Sequence, residues 1–117
     1  MKVYEYPNCS TCRSALKFLE EKAIVFERID ITLHPPSKDE LKKMVKCVGG
    51  DFKKLFNTSG VLYREMKLWE KIGRMDVETA VDLLAKHGKL IKRPFVLLKD
   101  GGLLGFREPE WKTAFAS

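Results

Sequence analysis

The sequence lacks any apolar run close to the roughly 20 residues that a helix needs to cross a bilayer. Its first residues, Met1 to Pro7, lack the long apolar stretch of a signal peptide. Internal repeats and low-complexity segments are absent as well. These absences exclude a transmembrane, secreted or disordered protein as the first interpretation, and they predict a cytoplasmic protein without a membrane partner.

Metal-binding side chains are scarce. Beyond the pair Cys9 and Cys12, the thiols and imidazoles are Cys47, His34 and His87, none of which forms a second paired cluster. A zinc site needs about four such ligands, so we predict no bound metal, and we expect no other bound cofactor. An odd number of cysteines in a cytoplasmic chain also argues against a framework of structural disulfides.

The composition predicts one globular domain covering residues 1–117. Of these 117 residues, 44% are hydrophobic and 10% aromatic, which is enough for one ordinary core. The net charge of +6 favours anionic ligands or acidic partners. Because the surplus lysines are dispersed among acidic residues, the charge does not by itself indicate direct binding to nucleic acid.

The pair Cys9 and Cys12 is the most specific feature. Two cysteines with this spacing can be half of a zinc site, two inert thiols or a redox-active pair, and their neighbours favour the last. The residues Val3 to Tyr6 predict a short strand, and those from Arg13 to Leu19 predict the start of a helix. Cys9 is therefore expected at a strand-to-helix junction.

That junction predicts different roles for the two thiols. The free N–H groups and the dipole at a helix N-terminus stabilise a thiolate, and Arg13 adds a positive charge one turn away. We therefore expect a lowered pKa and a nucleophilic thiol at Cys9. Cys12 falls inside the first helical turn, where it is more shielded, so we expect it to resolve intermediates formed at Cys9.

The order of predicted elements is that of an α/β protein with a thioredoxin-like fold, βαβ followed by ββα. Residues 24–31 predict the second strand, parallel to the first because a helix separates them. A helical insertion is expected at about residues 37–90. It opens on a capping-box pattern at Ser37 to Glu40, and Gly88 is expected to end its last helix in a left-handed conformation. Cys47 is interpreted as a half-buried structural thiol.

After the insertion, residues 95–98 and 103–106 predict a β-hairpin whose reversal lies at residues 100–102. A final short helix is expected from Glu108 to about Ala116. Together these elements predict two halves of one sheet joined by the insertion.

Four segments resemble a known family in their order and spacing. They are Tyr6-Pro7-Asn8-Cys9-Ser10-Thr11-Cys12-Arg13, Pro35-Pro36-Ser37-Lys38-Asp39-Glu40-Leu41, Leu55-Phe56-Asn57-Thr58-Ser59-Gly60 and Leu90-Ile91-Lys92-Arg93-Pro94. The chain resembles the ArsC/Spx family of thioredoxin-fold proteins, and the likeness runs nearly end to end.

The resemblance implies either of two activities. In arsenate reductases of this family, a cysteine that matches Cys9 attacks arsenate, and glutathione with glutaredoxin, or another thiol such as thioredoxin, supplies the electrons. Spx-type members use the cysteine pair as a redox switch and bind the C-terminal domain of the RNA polymerase alpha subunit. Both activities depend on the same thiol.

The resemblance also implies site residues. Arg93 matches an arginine that helps to hold the oxyanion, Pro94 matches a cis-proline beside the cysteines, and Arg107 stands near a further arginine after the hairpin. A guanidinium suits a tetrahedral oxyanion because its fork of N–H donors makes paired hydrogen bonds. We also predict substrate binding for the residues around the pair, which are Asn8, Ser10, Thr11 and Arg13.

Two positions depart from the reductase pattern. Asn57 stands where the reductases have an arginine, so one expected oxyanion donor is missing. Cys12 occupies a position that is not cysteine in the glutathione-coupled reductases, which favours a disulfide between Cys9 and Cys12.

Two hypotheses follow. In the first, the protein is a thiol-dependent oxidoreductase in which Cys9 attacks a small oxyanion or a disulfide, Arg93 holds the negative charge, and Cys12 forms the disulfide that releases the product. In the second, the protein is a regulator in which the same disulfide alters the start of the first helix and a surface that binds the RNA polymerase alpha subunit.

Overall fold

A computed structural model, which describes residues 1–116, shows four strands in one mixed sheet. The strands are β1 (Lys2–Glu5), β2 (Glu27–Asp30), β3 (Phe95–Leu98) and β4 (Gly101–Leu104). The order across the sheet is β2-β1-β3-β4, with β1 parallel to β2 and antiparallel to β3, and with β3 antiparallel to β4. This arrangement confirms the predicted thioredoxin-like fold.

In the described part of the chain, six α-helices pack around the sheet. They are α1 (Ser10–Glu21), α2 (Lys38–Cys47), α3 (Val61–Glu65), α4 (Leu68–Lys71), α5 (Val77–Lys86) and α6 (Glu108–Ala114). Short 3-10 turns lie at Phe52–Leu55, Ile72–Arg74 and Gly88–Leu90. Within residues 1–116, none of the helices is both long enough and apolar enough to cross a membrane.

The sheet separates two apolar clusters. Side chains alternate along a strand, so Val3 faces one side of the sheet and Tyr4 faces the other. The cluster on the Val3 side is formed by Val3, Ala15, Leu16, Phe18, Leu19, Val96, Leu103 and Trp111. The opposite cluster includes Tyr4, Ile31, Leu41, Met44, Leu84 and Phe95. Helix α1 therefore packs on the Val3 side, which we call the α1 face.

The N-caps predicted for α2 and α5 are both present. The predicted capping box is present, since the Ser37 hydroxyl accepts a hydrogen bond from the Glu40 N–H at 3.2 Å. In return, the Ser37 N–H donates to the Glu40 carboxylate at 3.0 Å. Asp76 caps α5 in the same way by accepting from the Thr79 N–H at 2.8 Å. Such caps satisfy N–H groups that a helix leaves without a partner.

Three local predictions are wrong at their edges. Strand β2 begins at Glu27 rather than residue 24, because Ile24 N–H donates back to Leu19 to complete the end of α1. Leu98 pairs with Gly101, so the hairpin reverses over Lys99 and Asp100. The last helix ends at Ala114 rather than about residue 116.

Cys47 and Gly88 also depart from expectation. Cys47 is exposed, because the buried stripe of α2 consists of Leu41, Met44 and Val45 and residue 47 falls outside it. Gly88 is not in the left-handed region. It is a glycine for another reason: a Cβ there would lie 1.8 Å from the Ile31 carbonyl oxygen. Close packing, and not chain reversal, sets the residue type at position 88.

The end of α1 gives a stability prediction. Ala23 has a φ of 56°, and its N–H donates to Glu20 while Ile24 N–H donates to Leu19, both at 3.0 Å. This pattern is a Schellman motif, in which the left-handed residue is usually glycine because a Cβ is strained there. We expect Ala23→Gly to raise the free energy of unfolding by about 0.5–1 kcal/mol, measured by urea denaturation.

A matched control is Ala85→Gly inside α5, which is expected to lower the free energy of unfolding by about 1 kcal/mol. Unchanged or reduced stability of Ala23→Gly would contradict the assignment of strain to Ala23.

Candidate active site

Cys9 occupies the N-cap position of α1 and is partly exposed. Its sulfur accepts a hydrogen bond from the Cys12 N–H at 3.3 Å, and its own N–H donates to the Tyr6 carbonyl at 3.1 Å. The sulfur therefore receives one of the N–H groups that the first helical turn leaves free, and such donors stabilise negative charge on sulfur. The thiol lies where the sequence predicts, at the start of the first helix.

Cys12 is fully buried one turn later. Burial is the main reason that its pKa is raised to about 12; a backbone hydrogen bond with Tyr6 opposes the rise, and Cys9 and the charge of Glu5 add to it. Cys12 is consequently a protonated thiol at neutral pH. It is shielded from solvent and adjacent to Cys9, which suits a thiol that acts second.

A cavity of about 330 Å³ opens beside Cys9. Besides Cys9, its polar lining consists of Thr11, Asn57, Ser59, Lys92, Arg93 and Arg107. Three of these side chains are cationic, and within residues 1–116 no acidic side chain lines the cavity. The space next to the Cys9 sulfur therefore favours an anionic group.

Backbone pairing assembles the cationic wall. Lys92 N–H donates to the Leu55 carbonyl and Asn57 N–H donates to the Leu90 carbonyl, both at 2.7 Å. These bonds hold the loop after Leu55 against the segment that carries Arg93. The Arg93 guanidinium carbon lies 4.8 Å from the centre of the Tyr6 ring, a stacking distance that orients its N–H fork.

A second part of the lining, the segment of residues 105–107, is held by aromatic packing. Gly105 N–H donates to the Pro94 carbonyl at 3.0 Å, and the Arg93–Pro94 peptide is cis, as the resemblance implies. The Gly105 carbonyl in turn accepts from the Trp111 indole N–H at 3.1 Å, and Phe106 packs edge-on against the same indole. Helix α6 thereby fixes the backbone that closes the cavity.

The structure brings together only some of the predicted site residues. Those that line the cavity are Cys9, Thr11, Arg93 and Arg107. Those that lie outside its lining are Asn8, Ser10, Arg13, Pro94 and the buried Cys12. The Arg13 guanidinium lies 3.5 Å from the Pro7 carbonyl, and Arg107 is an exposed side chain 3.8 Å from Glu110.

Sequence reasoning missed two polar residues of the cavity, Lys92 and Ser59. Lys92 directly precedes Arg93, and that adjacency was the available signal. The backbone bridge between Phe56 and Ile91 that draws the Ser59 loop to the site has no sequence signature. Among residues 1–116, no group of three or more His, Cys, Asp or Glu side chains is arranged to hold a metal ion.

A thioredoxin-like sheet with a cysteine pair at the start of its first helix defines a thiol protein of the thioredoxin fold. The profile of the ArsC family matches residues 4–114, and the chain belongs to this family. The family resemblance read from the four sequence segments is therefore confirmed.

Relatives include both proteins of unassigned role and regulators. The chain is 44% identical to the Bacillus subtilis (strain 168) protein YusI over 113 residues, which cover 97% of this chain and 96% of YusI. It is 25% identical to the global transcriptional regulator Spx of Streptococcus mutans over 104 residues, covering 89% of this chain and 74% of Spx.

Solved structures show the same fold. A protein described as ArsC family related from Bacteroides fragilis matches with a TM-score of 0.90 at 42% identity, covering 96% of this chain and 94% of that one. A protein described as a possible arsenate reductase from Streptococcus mutans UA159 matches with a TM-score of 0.89 at 36% identity, covering 97% of each chain. The family thus supports a thiol-dependent oxidoreductase or an Spx-like regulator.

Proposed function

We propose that this protein is a thiol-dependent oxidoreductase in which Cys9 attacks a small oxyanion or a disulfide and Cys12 resolves the product. One observation carries the proposal: a partly exposed Cys9 sulfur, which accepts a backbone N–H, adjoins a cavity with cationic walls while a second thiol is buried beside it. A nucleophile, a place for an anion and a resolving thiol are the parts that this chemistry needs.

With a disulfide substrate, the reaction consists of two successive thiol–disulfide exchanges. The Cys9 thiolate attacks one sulfur of the substrate, breaks the S–S bond and releases the other sulfur as a thiolate. The Cys12 thiol, on losing its proton, then attacks the Cys9 sulfur and expels the second substrate sulfur, which leaves as a thiol with that proton. The substrate gains two electrons from the pair and one proton from Cys12, and the first released thiolate takes its proton from solvent, which had received the Cys9 proton. The protein is left with a Cys9–Cys12 disulfide for a cytoplasmic thiol donor to reduce.

The cations select the substrate. Arg93 offers an oriented fork, and Lys92 adds a mobile charge beside it. Asn57 lines the same cavity and supplies a neutral amide where the reductase pattern has a third guanidinium. We therefore expect this wall to accept a carboxylate-bearing disulfide as well as an oxyanion such as arsenate.

Turnover assays test the proposal. Purified protein is supplied either with glutathione and glutaredoxin or with thioredoxin and its reductase, and arsenate and a small carboxylate-bearing disulfide are given in separate arms. Expected results are consumption of reducing equivalents in at least one arm and a two-hydrogen loss between Cys9 and Cys12 in the oxidised protein. No turnover in any arm, with both cysteines still reduced after mild oxidant, would contradict the enzyme.

A regulator is the second candidate because several relatives are global transcriptional regulators named Spx, at 24–26% identity. In that case the disulfide forms without turnover and alters the start of α1, and the partner is the RNA polymerase alpha subunit. Capture of that subunit in a manner that peroxide changes, together with an absence of turnover, would favour the regulator over the oxidoreductase.

Arg93→Ala tests the anion site. Loss of the stacked guanidinium is expected to lower kcat/KM for a carboxylate-bearing disulfide by about 100-fold, because the anion loses a paired hydrogen bond. Kinetics with a neutral disulfide of similar size is the internal comparison, where the loss is expected to be much smaller. Arg74→Ala removes an exposed arginine of a 3-10 turn outside the cavity and serves as the control. Equal losses for both substrates would argue against anion recognition by Arg93.

A further inference from the structure

Glu5 is a buried charge that the proposed reaction does not use. Its residue is 4% exposed, and it is the one charged side chain that the described residues 1–116 bury. Burying a carboxylate is costly unless it is paired, so a buried glutamate needs a structural or functional reason. Glu5 is therefore a candidate for a specific role in the chemistry of the cysteine pair.

Strand and helix periodicity place Glu5 opposite Cys12. Glu5 is two residues beyond Val3 on β1, so both side chains project onto the α1 face. Cys12 belongs to the buried stripe of α1 that packs on this face, together with Ala15, Leu16 and Leu19. The carboxylate and the buried thiol consequently lie on facing sides of the β1–α1 interface, at the end nearest Cys9. The negative charge of Glu5 contributes to the raised pKa of Cys12, in agreement with this placement.

The remaining charges on this face come from β2. Arg28 pairs in register with Val3, and its guanidinium lies 3.6 Å from the Glu5 carboxylate while being more than half exposed. Asp30 pairs in register with Glu5, but its carboxylate accepts from the Thr32 hydroxyl at 2.6 Å. That hydrogen bond is the main reason that the pKa of Asp30 is lowered. The Asp30 carboxylate is therefore already engaged in hydrogen bonds with Thr32 in the turn that follows β2.

The other neighbouring elements add no competing base. Strands β3 and β4 contribute Val96 and Leu103 to this face, and α6 contributes Trp111. On α1, Arg13 is directed to the Pro7 carbonyl. Among the described residues, Glu5 is thus the buried carboxylate on this face, and it is held there in an ion pair with Arg28.

A resolving thiol needs a base because only the thiolate attacks a disulfide. We propose that Glu5 takes up the proton of Cys12 when Cys12 attacks a mixed disulfide at Cys9. The Cys12 S–H bond breaks, the S–S bond to Cys9 forms, and the substrate thiolate leaves. Glu5 becomes a carboxylic acid and then releases the proton to solvent beside the half-exposed Arg28, which restores the ion pair, while the departing thiolate takes up a proton from solvent. In the reverse direction Glu5 supplies the proton to Cys12. Glu5 acts through Cys12 and has no contact with substrate.

The inference rests on the proposed function, and one assay separates the two. In a Cys47→Ser background, one equivalent of 5,5′-dithiobis(2-nitrobenzoic acid) is mixed with reduced protein in a stopped-flow instrument. Attack by Cys9 releases a first coloured thionitrobenzoate, and attack by Cys12 on the mixed disulfide releases a second. Failure of the first release contradicts the proposed function, whereas the rate of the second tests Glu5.

Glu5→Gln is expected to change the rate of the second release in opposite directions, depending on whether Glu5 acts as a proton acceptor or only as a charge. As a proton acceptor, Glu5 is needed for the second release, which is expected to slow about 100-fold near neutral pH and to recover as hydroxide takes over at higher pH. If Glu5 acted only as a charge, its removal would ease deprotonation of Cys12 and the second release would become faster. A faster or unchanged second release overturns the inference, as does a slowing by the same factor at every pH.

Two further variants keep the test independent of folding. Glu5→Asp retains a carboxylate and is expected to keep the wild-type shape of the pH profile at an intermediate rate. Asp30→Asn removes the neighbouring carboxylate of the same sheet face and is expected to leave the profile unchanged. A pH profile for Glu5→Asp that matches Glu5→Gln would overturn the assignment.

Discussion

Replacement of Cys9 by serine is expected to abolish disulfide exchange, with a loss of about a thousandfold or more in turnover. The reason is that the Cys9 sulfur is the exposed member of the pair and receives the Cys12 N–H, whereas Cys12 is buried and its pKa is raised to about 12. A serine hydroxyl at the same N-cap accepts the same N–H, so the helix start is preserved while the nucleophile is removed. Coupled turnover and peptide mapping of oxidised protein measure the loss.

The two other cysteines provide matched controls. Cys12→Ser is expected to retain attack and to accumulate a stable mixed disulfide at Cys9, visible as added mass on the intact protein. Cys47→Ser removes an exposed thiol at the end of α2, outside the cavity, and is expected to leave turnover as in the wild type. Persistent turnover in Cys9→Ser, or turnover that depends on Cys47, would contradict the assignment of the nucleophile.

Gly88→Ala is expected to lower the free energy of unfolding by about 3 kcal/mol or more. Its Cβ would lie 1.8 Å from the Ile31 carbonyl oxygen and 2.7 Å from the carbonyl carbon, so backbone must move on one side or the other. Gly88 also begins the 3-10 turn Gly88–Leu90, and the following residues carry Lys92 and Arg93. We therefore expect the cationic lining of the cavity to be displaced and the fold to be destabilised.

Gly73→Ala is the matched control for this change. Gly73 lies in another 3-10 turn, its φ is not in the left-handed region, and a Cβ there has no heavy atom within 4 Å. Its free energy of unfolding is expected to stay within about 0.5 kcal/mol of the wild type. Urea denaturation of both variants decides the matter. Equal stabilities would show that the backbone at position 88 relaxes without cost.

Local signals account for the parts of the fold that sequence reasoning predicted well. The capping box at Ser37, the cap at Asp76 and the alternation around Val3 and Tyr4 each depend on residues close in the chain. The error at Gly88 occurs because a distant segment decides the outcome, since a side chain there would meet Ile31, which is far away in sequence. The error at Cys47 is local, since residue 47 lies outside the buried stripe of α2.

In the candidate site, too, only the features set by residues close in the chain could be predicted. The spacing of Cys9 and Cys12 and their position before a helix follow from adjacent residues, and Arg93 followed from the family resemblance. The cationic cavity depends instead on backbone bonds between the Leu55–Asn57 and Leu90–Lys92 segments. Glu5 was invisible as a functional candidate because an isolated glutamate in a strand does not reveal its burial, which the packing of α1 creates.

The indole of Trp111 has a practical consequence. It is 1% exposed and bonded to the Gly105 carbonyl, whereas the other tryptophan, Trp69, is half exposed. In a Trp69→Phe background, intrinsic fluorescence from tryptophan would come from Trp111 alone, and its emission reports the polarity and hydrogen bonding of the cavity wall near Cys9. The protein thus contains its own optical probe, suited to following each turnover in real time without a label.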